Sequence, residues 1–382
     1  ETATYADDAF DKDSVFWNES RGFPLKSFEI DYINEQDSIL TYHESEEYLR
    51  KMDSTRNEFT WKNLLFGGWG HVNSFKKYEI QFSPLVGSFQ PFGVGGWRTL
   101  FLVSYQKEFK NGKIINVKPF INYGNYNKDL KGSFDGAILY NRMNFSKIGF
   151  KIGDEYDIIG NTQNVMSSII PTNRVSNKRF EVNFSRELIN GLYLKSDLLI
   201  SDRKSIDNIL YPPWMDSLPE QIFQKPVSFD RYKIFLFTNQ FEYHFRQKYT
   251  IRKGRKIVYG SPWPVLTFTY KKAIPTIFGS EANFDFVELI IKDDINFNSF
   301  GTSNLKFQAG QFLKKTDLRL IEYKYFRRSD YLWFSNPINT MQRLDTSLNT
   351  ARSYLQFNYI HHFNGFFLNK VWLINRLKLD ET

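Results

Sequence analysis

The chain contains no cysteine, which excludes disulfide frameworks and thiolate metal sites. No stretch approaches the ~18 consecutive apolar residues of a transmembrane helix, so a helical membrane protein is excluded as well. Histidine is scarce, confined to His43, His71, His244, His361 and His362. A metal site wants several such ligands converging with carboxylates, whereas His361 and His362 would face opposite sides of a strand. No metal and no cofactor is expected. Glycine clusters at Gly67-Gly68-Trp69-Gly70 and Gly93-Val94-Gly95-Gly96 lack the strand-to-helix setting of a phosphate loop. They read as tight turns or strand kinks. A hydrolase at the rim of the fold would need a nucleophile and a histidine together. Ser201, Asp202 and His244 are candidates by type, but no spacing singles them out, and no enzyme is expected.

What is abundant is aromatic. The chain has 382 residues, of which 18% are Phe, Trp or Tyr and 41% are hydrophobic, with a mean hydropathy of −0.46. Such a balance permits a membrane β-barrel, in which only every second strand residue must be apolar. Charge is divided unevenly. Residues 1–60 hold 15 acidic and 6 basic side chains, which leaves 27 acidic and 44 basic in the remainder. The acidic part is expected to be a separate helical or linker segment, residues 1–60, ahead of a basic domain at 61–382. Within it, Phe16, Trp17, Phe23, Pro24 and Leu25 form an apolar anchor around Gly22. Ser27 reads as the N-cap of one or two amphipathic helices reaching about Met52. Because the cations of the domain are scattered through alternating stretches, no nucleic-acid partner is expected.

From about Trp61 a two-residue period takes over. Val287, Leu289, Ile291 and Ile295 alternate with Glu288, Lys292 and Asp294; near the end, Leu355, Phe357, Tyr359, His361 and Phe363 alternate with Arg352, Tyr354, Gln356 and Asn358. One apolar and one polar face per strand follows. Twelve strands are expected, at 76–87, 97–109, 113–126, 132–143, 146–157, 178–189, 191–201, 231–246, 263–273, 283–297, 302–312 and 351–363. They exceed the ~5–6 residues usual in soluble sheets and reach the ~9–11 needed to cross hydrocarbon. Many carry Tyr, Trp or Phe near their ends, as an aromatic girdle would.

The connections sort by length. Lys110-Asn111-Gly112, Met143–Ser146, Asn190-Gly191 and Asn298–Gly301 are short turns, and Asn-Gly is a favoured hairpin pair. Long links at 158–177, 202–230 and 313–350 fall on the opposite side by strand counting. Outer-membrane barrels divide their connections in this way, short on the periplasmic side and long outside. The expected fold is therefore all-β, a transmembrane antiparallel barrel of about 12 or more strands, with residues 1–75 emerging in the periplasm. Gln247–Pro262 breaks the pattern, being long yet on the short-turn side. The run 246–256 at its start carries Arg246, Lys248, Arg252, Lys253, Arg255 and Lys256, a candidate dock for anionic head groups or for the acidic segment. The 313–350 link interleaves Tyr323, Tyr325, Arg327, Arg328 and Trp333. It is too apolar for a mobile loop and is expected to plug the mouth or meet a partner, and 202–230 to close the lumen with it.

Three stretches carry a resemblance: DSVFWNESRGFPLKSFEIDYI at Asp13–Ile33, FRQKYTIRKGRKIVYGSPWPVLTFTYKK at Phe245–Lys272, and YLQFNYIHHFNGFFLNKVWLINRLKL at Tyr354–Leu379. They resemble an uncharacterised family of Bacteroidota outer-membrane proteins, whose barrel usually follows a carboxypeptidase-regulatory-like β-sandwich. HHFNGFFLNK at His361–Lys370 is the most specific piece. The β-sandwich is missing, and the family's barrel continues past Thr382, so a fragment or an incomplete barrel is expected, with Phe366–Leu379 starting a further strand or folding inward. The barrel is also distantly similar to the Omp85 group of protein insertases. The resemblance implies outer-membrane location and no catalytic residues. The expected role is a scaffold or gated component in envelope assembly or transport, in contact with outer-membrane lipid and with other outer-membrane or periplasmic proteins. A porin-like solute channel is the alternative, and a barrel enzyme the third reading.

Overall fold

The computed structural model describes residues 14–161, 174–217, 226–252, 254–329, 335–344, 348–364 and 366. Three helices lead: α1 (Ser14–Ser20), α2 (Ser27–Glu44) and α3 (Glu46–Arg56). A π-helical turn at Asn63–Gly67 follows. Then come β1 (Gly70–Asn73), β2 (Tyr78–Phe82), a one-turn helix α4 (Leu85–Ser88), β3 (Phe89–Gly93), β4 (Gly96–Glu108), β5 (Ile114–Gly124) and β6 (Leu130–Asn141). The chain continues through β7 (Ser146–Ile158), β8 (Arg174–Ile189), β9 (Leu192–Lys204), β10 (Tyr232–His244), β11 (Lys248–Arg252) and β12 (Arg255–Gly260). It finishes with β13 (Val265–Ala273), β14 (Asn283–Asn296), β15 (Thr302–Asp317), β16 (Lys324–Tyr325), β17 (Asn349–Thr350) and β18 (Ser353–His362).

Fourteen of these strands make one sheet, in the order β1-β2-β4-β5-β6-β7-β8-β9-β10-β13-β14-β15-β18, with β3 also on β4. Every pairing in it is antiparallel, and each strand of the path pairs with the next one along the chain that belongs to it, skipping β3, the β11–β12 hairpin and β16–β17. All twelve expected strands are present. The largest differences are β2, which stops at Phe82, and β15, which runs on to Asp317; β8 also starts early, at Arg174. Pro84 explains the first. It cannot donate to a ladder and instead leads the turn of α4, so β2 and β3 are two pieces of one interrupted strand along β4. Among the described residues, β1 and β18 do not pair with each other. The expected continuation at Phe366–Leu379 lies, apart from Phe366, outside the described residues.

The two faces are inverted relative to a soluble sheet. On β18, Leu355, Phe357 and Tyr359 are 69%, 61% and 53% exposed, while Gln356 and Asn358 are buried. Register carries this across the sheet. Phe134, Ile152 and Phe180 are direct partners on β6, β7 and β8, and all are exposed. On the opposite face Gln356 pairs Gln308, and both are buried. The apolar core is a local cluster at the long-link end. Ile234, Ala273, Phe284, Phe286 and Phe312, from the ends of β10, β13, β14 and β15, meet Ile321 of the 313–350 link.

Helix α2 begins after Lys26 rather than at a Ser27 cap, and Glu29 Oε2 accepts from the Lys26 N–H at 2.8 Å. None of its residues is buried. The expected anchor is likewise open, with Phe23 87% exposed, because no surface of the described chain covers it. Helix α3 is the one bonded to the sheet by the side chains at its C-terminal end. Asp53 accepts from the Ser74 N–H (2.7 Å) and hydroxyl (2.6 Å), and Asn57 exchanges bonds with both backbone groups of Val72. The helical segment is thereby tied to the hairpin between β1 and β2, at the short-turn end.

Candidate functional site

The irregular connection at residues 247–262 is itself a hairpin, β11 against β12. Its second strand returns to the sheet through Lys256, whose Nζ lies 2.6 and 2.5 Å from the two carboxylate oxygens of Glu187, at the end of β8. Both side chains are buried, at 7% and 4% exposure. Glu187 also accepts from the Gly191 N–H (2.9 Å) and Gln247 Nε2 (3.0 Å). Lys256 reaches Asn190 Oδ1 at 2.9 Å and sits 4.3 Å from the Tyr249 ring centroid. Arg255 reaches Glu108, at the end of β4, at 3.1 Å. Two of the six cations marked in the sequence are therefore committed to acids of this chain, and the hairpin spans the short-turn end between strands four places apart. Arg246 lies 5.7 Å from the Trp263 ring centroid, Lys248 and Arg252 are exposed ends of β11, and Lys253 lies outside the described residues.

At the other end the long links turn inward. The segment after β9 carries Trp214 to Phe92 (ring centroids 5.6 Å apart), although β9 and β4 are five places apart in the sheet. The 313–350 link follows the polar face. Glu322 accepts from Arg203 and from Tyr232 (2.9 Å), and Lys324 is paired with Glu288. Deeper still, Lys306 Nζ donates to Asn339 (2.9 Å), and Asn358 Nδ2 to the carbonyls of Pro337 (3.0 Å) and Thr340 (3.3 Å). Of the sequence-marked residues, Tyr323, Tyr325 and Arg327 line the resulting space. Tyr325 donates to the Leu320 carbonyl at 2.9 Å, and burial pushes its phenol up to about 12. Arg328 bridges Met341 through the backbone, and Trp333 lies outside the described residues.

That space is a cavity of about 530 Å³ between link and strands. A second, of about 620 Å³, lies beneath β3, beside Arg98. Arg98 is 2% exposed, and its guanidinium donates to both oxygens of Asp129 (2.8 and 3.1 Å), to Asn122 Oδ1 (2.8 Å) and to the Val94 carbonyl (2.9 Å). Burial alone would raise the Asp129 carboxyl. The bonds from Arg98 and Tyr156 and the charges of Arg98 and Lys131 outweigh it and hold the group below the usual range. Sequence reading missed this network, since Arg98 and Asp129 are 31 positions apart and nothing local marks the pair. The inward parity of each strand was the available signal.

The hydrolase candidates are not brought together. Ser201 pairs Ile234 while His244 ends the same strand, ten residues on and roughly 33 Å away at ~3.3 Å per residue. Ser201 donates to Asn177, Asp202 is paired with Arg231, and His244 meets Glu242 at 2.7 Å. His361 is engaged by Ser303 (2.7 Å) and by the Phe300 carbonyl (2.9 Å). Among the described residues no cluster of three or more His, Asp or Glu is shaped for a metal ion.

Fold and site together define an all-β protein built on one large antiparallel sheet, with described parts of the 313–350 link packed against its polar face. Residues 62–382 match the C-terminal domain of the family of unknown function DUF5686, and the chain belongs to that family. No curated protein matches the chain in sequence.

Proposed function

We propose that the chain is an outer-membrane β-barrel that serves as a scaffold or gated component in envelope assembly or transport, within a larger complex. The carrying observation is the inversion of the faces, apolar outward over successive strands and polar inward. Lipid is the solvent that makes such an arrangement favourable, because water would penalise the outer face and leave the inner polar groups no reason to be enclosed. Strands as long as the 16 residues of β8 and β15 are ample for the span. In this reading the sheet closes near β1 and the residues after β18, the helical segment and the β11–β12 hairpin face the periplasm, and other envelope proteins meet the exposed helices. The Bacteroidota origin and the distant Omp85-like kinship belong to the same proposal.

Links packed on the polar face support a gated or plugged interior over the solute channel. Two measurements test this. Leu355→Arg, placed on the outward face, should cost about 2–4 kcal/mol in a bilayer, against within ~0.5 kcal/mol for a residue in water; a negligible effect on folding in lipid vesicles removes the membrane reading. In planar bilayers the protein should be silent or flicker briefly. A steady large conductance would overturn the plugged scaffold in favour of the channel.

A further inference from the structure

The charges lining the 530 Å³ cavity do not balance. Its carboxylates are Asp157, Glu288 and Glu322, and each already has a partner. Glu288 is held by Lys324 and the Tyr354 hydroxyl, Glu322 by Arg203 and Tyr232, and Asp157 by Arg179 and Asn177. Two lining ammonium groups remain. Lys306 donates to the neutral amide oxygen of Asn339, and Lys271 lies 5.9 Å from the Phe286 ring, while Glu288 and Glu322, whose charges reach Lys271, are already paired with Lys324 and Arg203. Among the described residues neither has a carboxylate within ion-pair distance. Ionised groups withdrawn from water are costly without a counter-charge. The neighbouring wall is apolar, formed by Phe284, Phe286, Phe312 and Ile321.

We propose that this cavity is a binding site for a small organic dianion, its two negative charges placed on Lys271 and Lys306 and its apolar body against the phenylalanine wall. The volume suits such a ligand, since small-molecule sites run from about 300 to 1,000 Å³. Lys271 comes from β13 and Lys306 from β15, two places further along the sheet, with Glu288 between them on β14. The Lys324–Glu288 pair draws the 313–350 link over the same space, so the link forms one wall of the site. The site concerns the interior alone and does not rest on the membrane assignment. A chain recovered from the soluble fraction that still binds would keep this inference and remove the other.

Titration calorimetry of the purified full chain with phenyl phosphate, phthalate and inorganic phosphate at low ionic strength tests it. Phenyl phosphate or phthalate should bind saturably and more tightly than inorganic phosphate, the arm that binds telling phosphate from dicarboxylate recognition. Lys271→Gln and Lys306→Gln should each weaken binding tenfold or more, as expected for loss of a charged hydrogen bond. Lys272→Gln should leave it unchanged, because Lys272 faces away and is paired with Asp285 at 3.0 Å. Charge-retaining Lys271→Arg and Lys306→Arg cover a glutamine variant that does not fold, and these should restore most of the affinity. Absence of saturable binding by the wild-type chain, or binding that ignores both lysines or follows Lys272, overturns the site.

Discussion

Neutralising Glu187 should loosen the hairpin that crosses the short-turn end. Glu187→Gln keeps the shape and the bonds to Gly191 and Gln247 but leaves Lys256 as a buried cation with no counter-charge. Breaking a buried pair in this way costs about 3–5 kcal/mol. Asn190 and the Tyr249 ring still face the ammonium and should return roughly 1 kcal/mol, leaving about 2–4 kcal/mol. Because among the described residues β11 and β12 pair only with each other, the loss should fall mainly on local opening of the hairpin rather than on unfolding of the sheet. Amide exchange in 248–260 should therefore rise by about thirty- to a thousandfold, while the urea midpoint of the whole protein moves little. Lys256→Met should do the same. The double variant, with neither charge buried, should recover a coupling of about 2–3 kcal/mol. Exchange in the hairpin that stays within a factor of three for both single variants, together with additive effects, would refute the clasp.

Two further perturbations test the frame around it. Asp129, whose folded-state carboxyl is depressed by the Arg98 network against the pull of burial, contributes stability that is present above the ordinary carboxylate range and is lost as pH falls through the depressed value. Melting temperature of the wild-type protein should accordingly drop below about pH 4, and Asp129→Asn should be less stable at neutral pH and flatter in that acid window; identical pH profiles would contradict the assignment. Gly301, at φ +100°, has the His362 carbonyl oxygen 1.9 Å from where a Cβ would stand, so Gly301→Ala should cost at least about 2–3 kcal/mol in chemical denaturation. Gly254→Ala, at φ +68° with open space around it, should cost only about 1 kcal/mol.

Strand existence was legible because the two-residue period is local. Leu355 to Tyr359 show opposite faces without reference to any other residue, and the turns at Asn111-Gly112 and Asn190-Gly191 announce themselves by type. The 247–262 connection was visible as an exception, but its purpose was not. Whether its cations face lipid or Glu187 depends on strands sixty or more positions away. The same limit applied to Arg98 and Asp129, and to Ser201 and His244, which look like candidate partners in composition and lie near opposite ends of β10.

By itself, then, the amino-acid sequence determined what each strand does to its own two faces, where the chain turns, and that helix follows Ser27 in the acidic lead segment. Those properties follow from side-chain alternation and backbone preferences within a few residues. Tertiary structure alone decided which charges meet. It gave Glu187 to Lys256, Glu288 to Lys324 and Glu322 to Arg203, and left Lys271 and Lys306 on one cavity with no carboxylate at ion-pair distance among the described residues. Pairing is settled by sheet register and by how far a long link folds back, and neither is encoded in the spacing of the residues concerned.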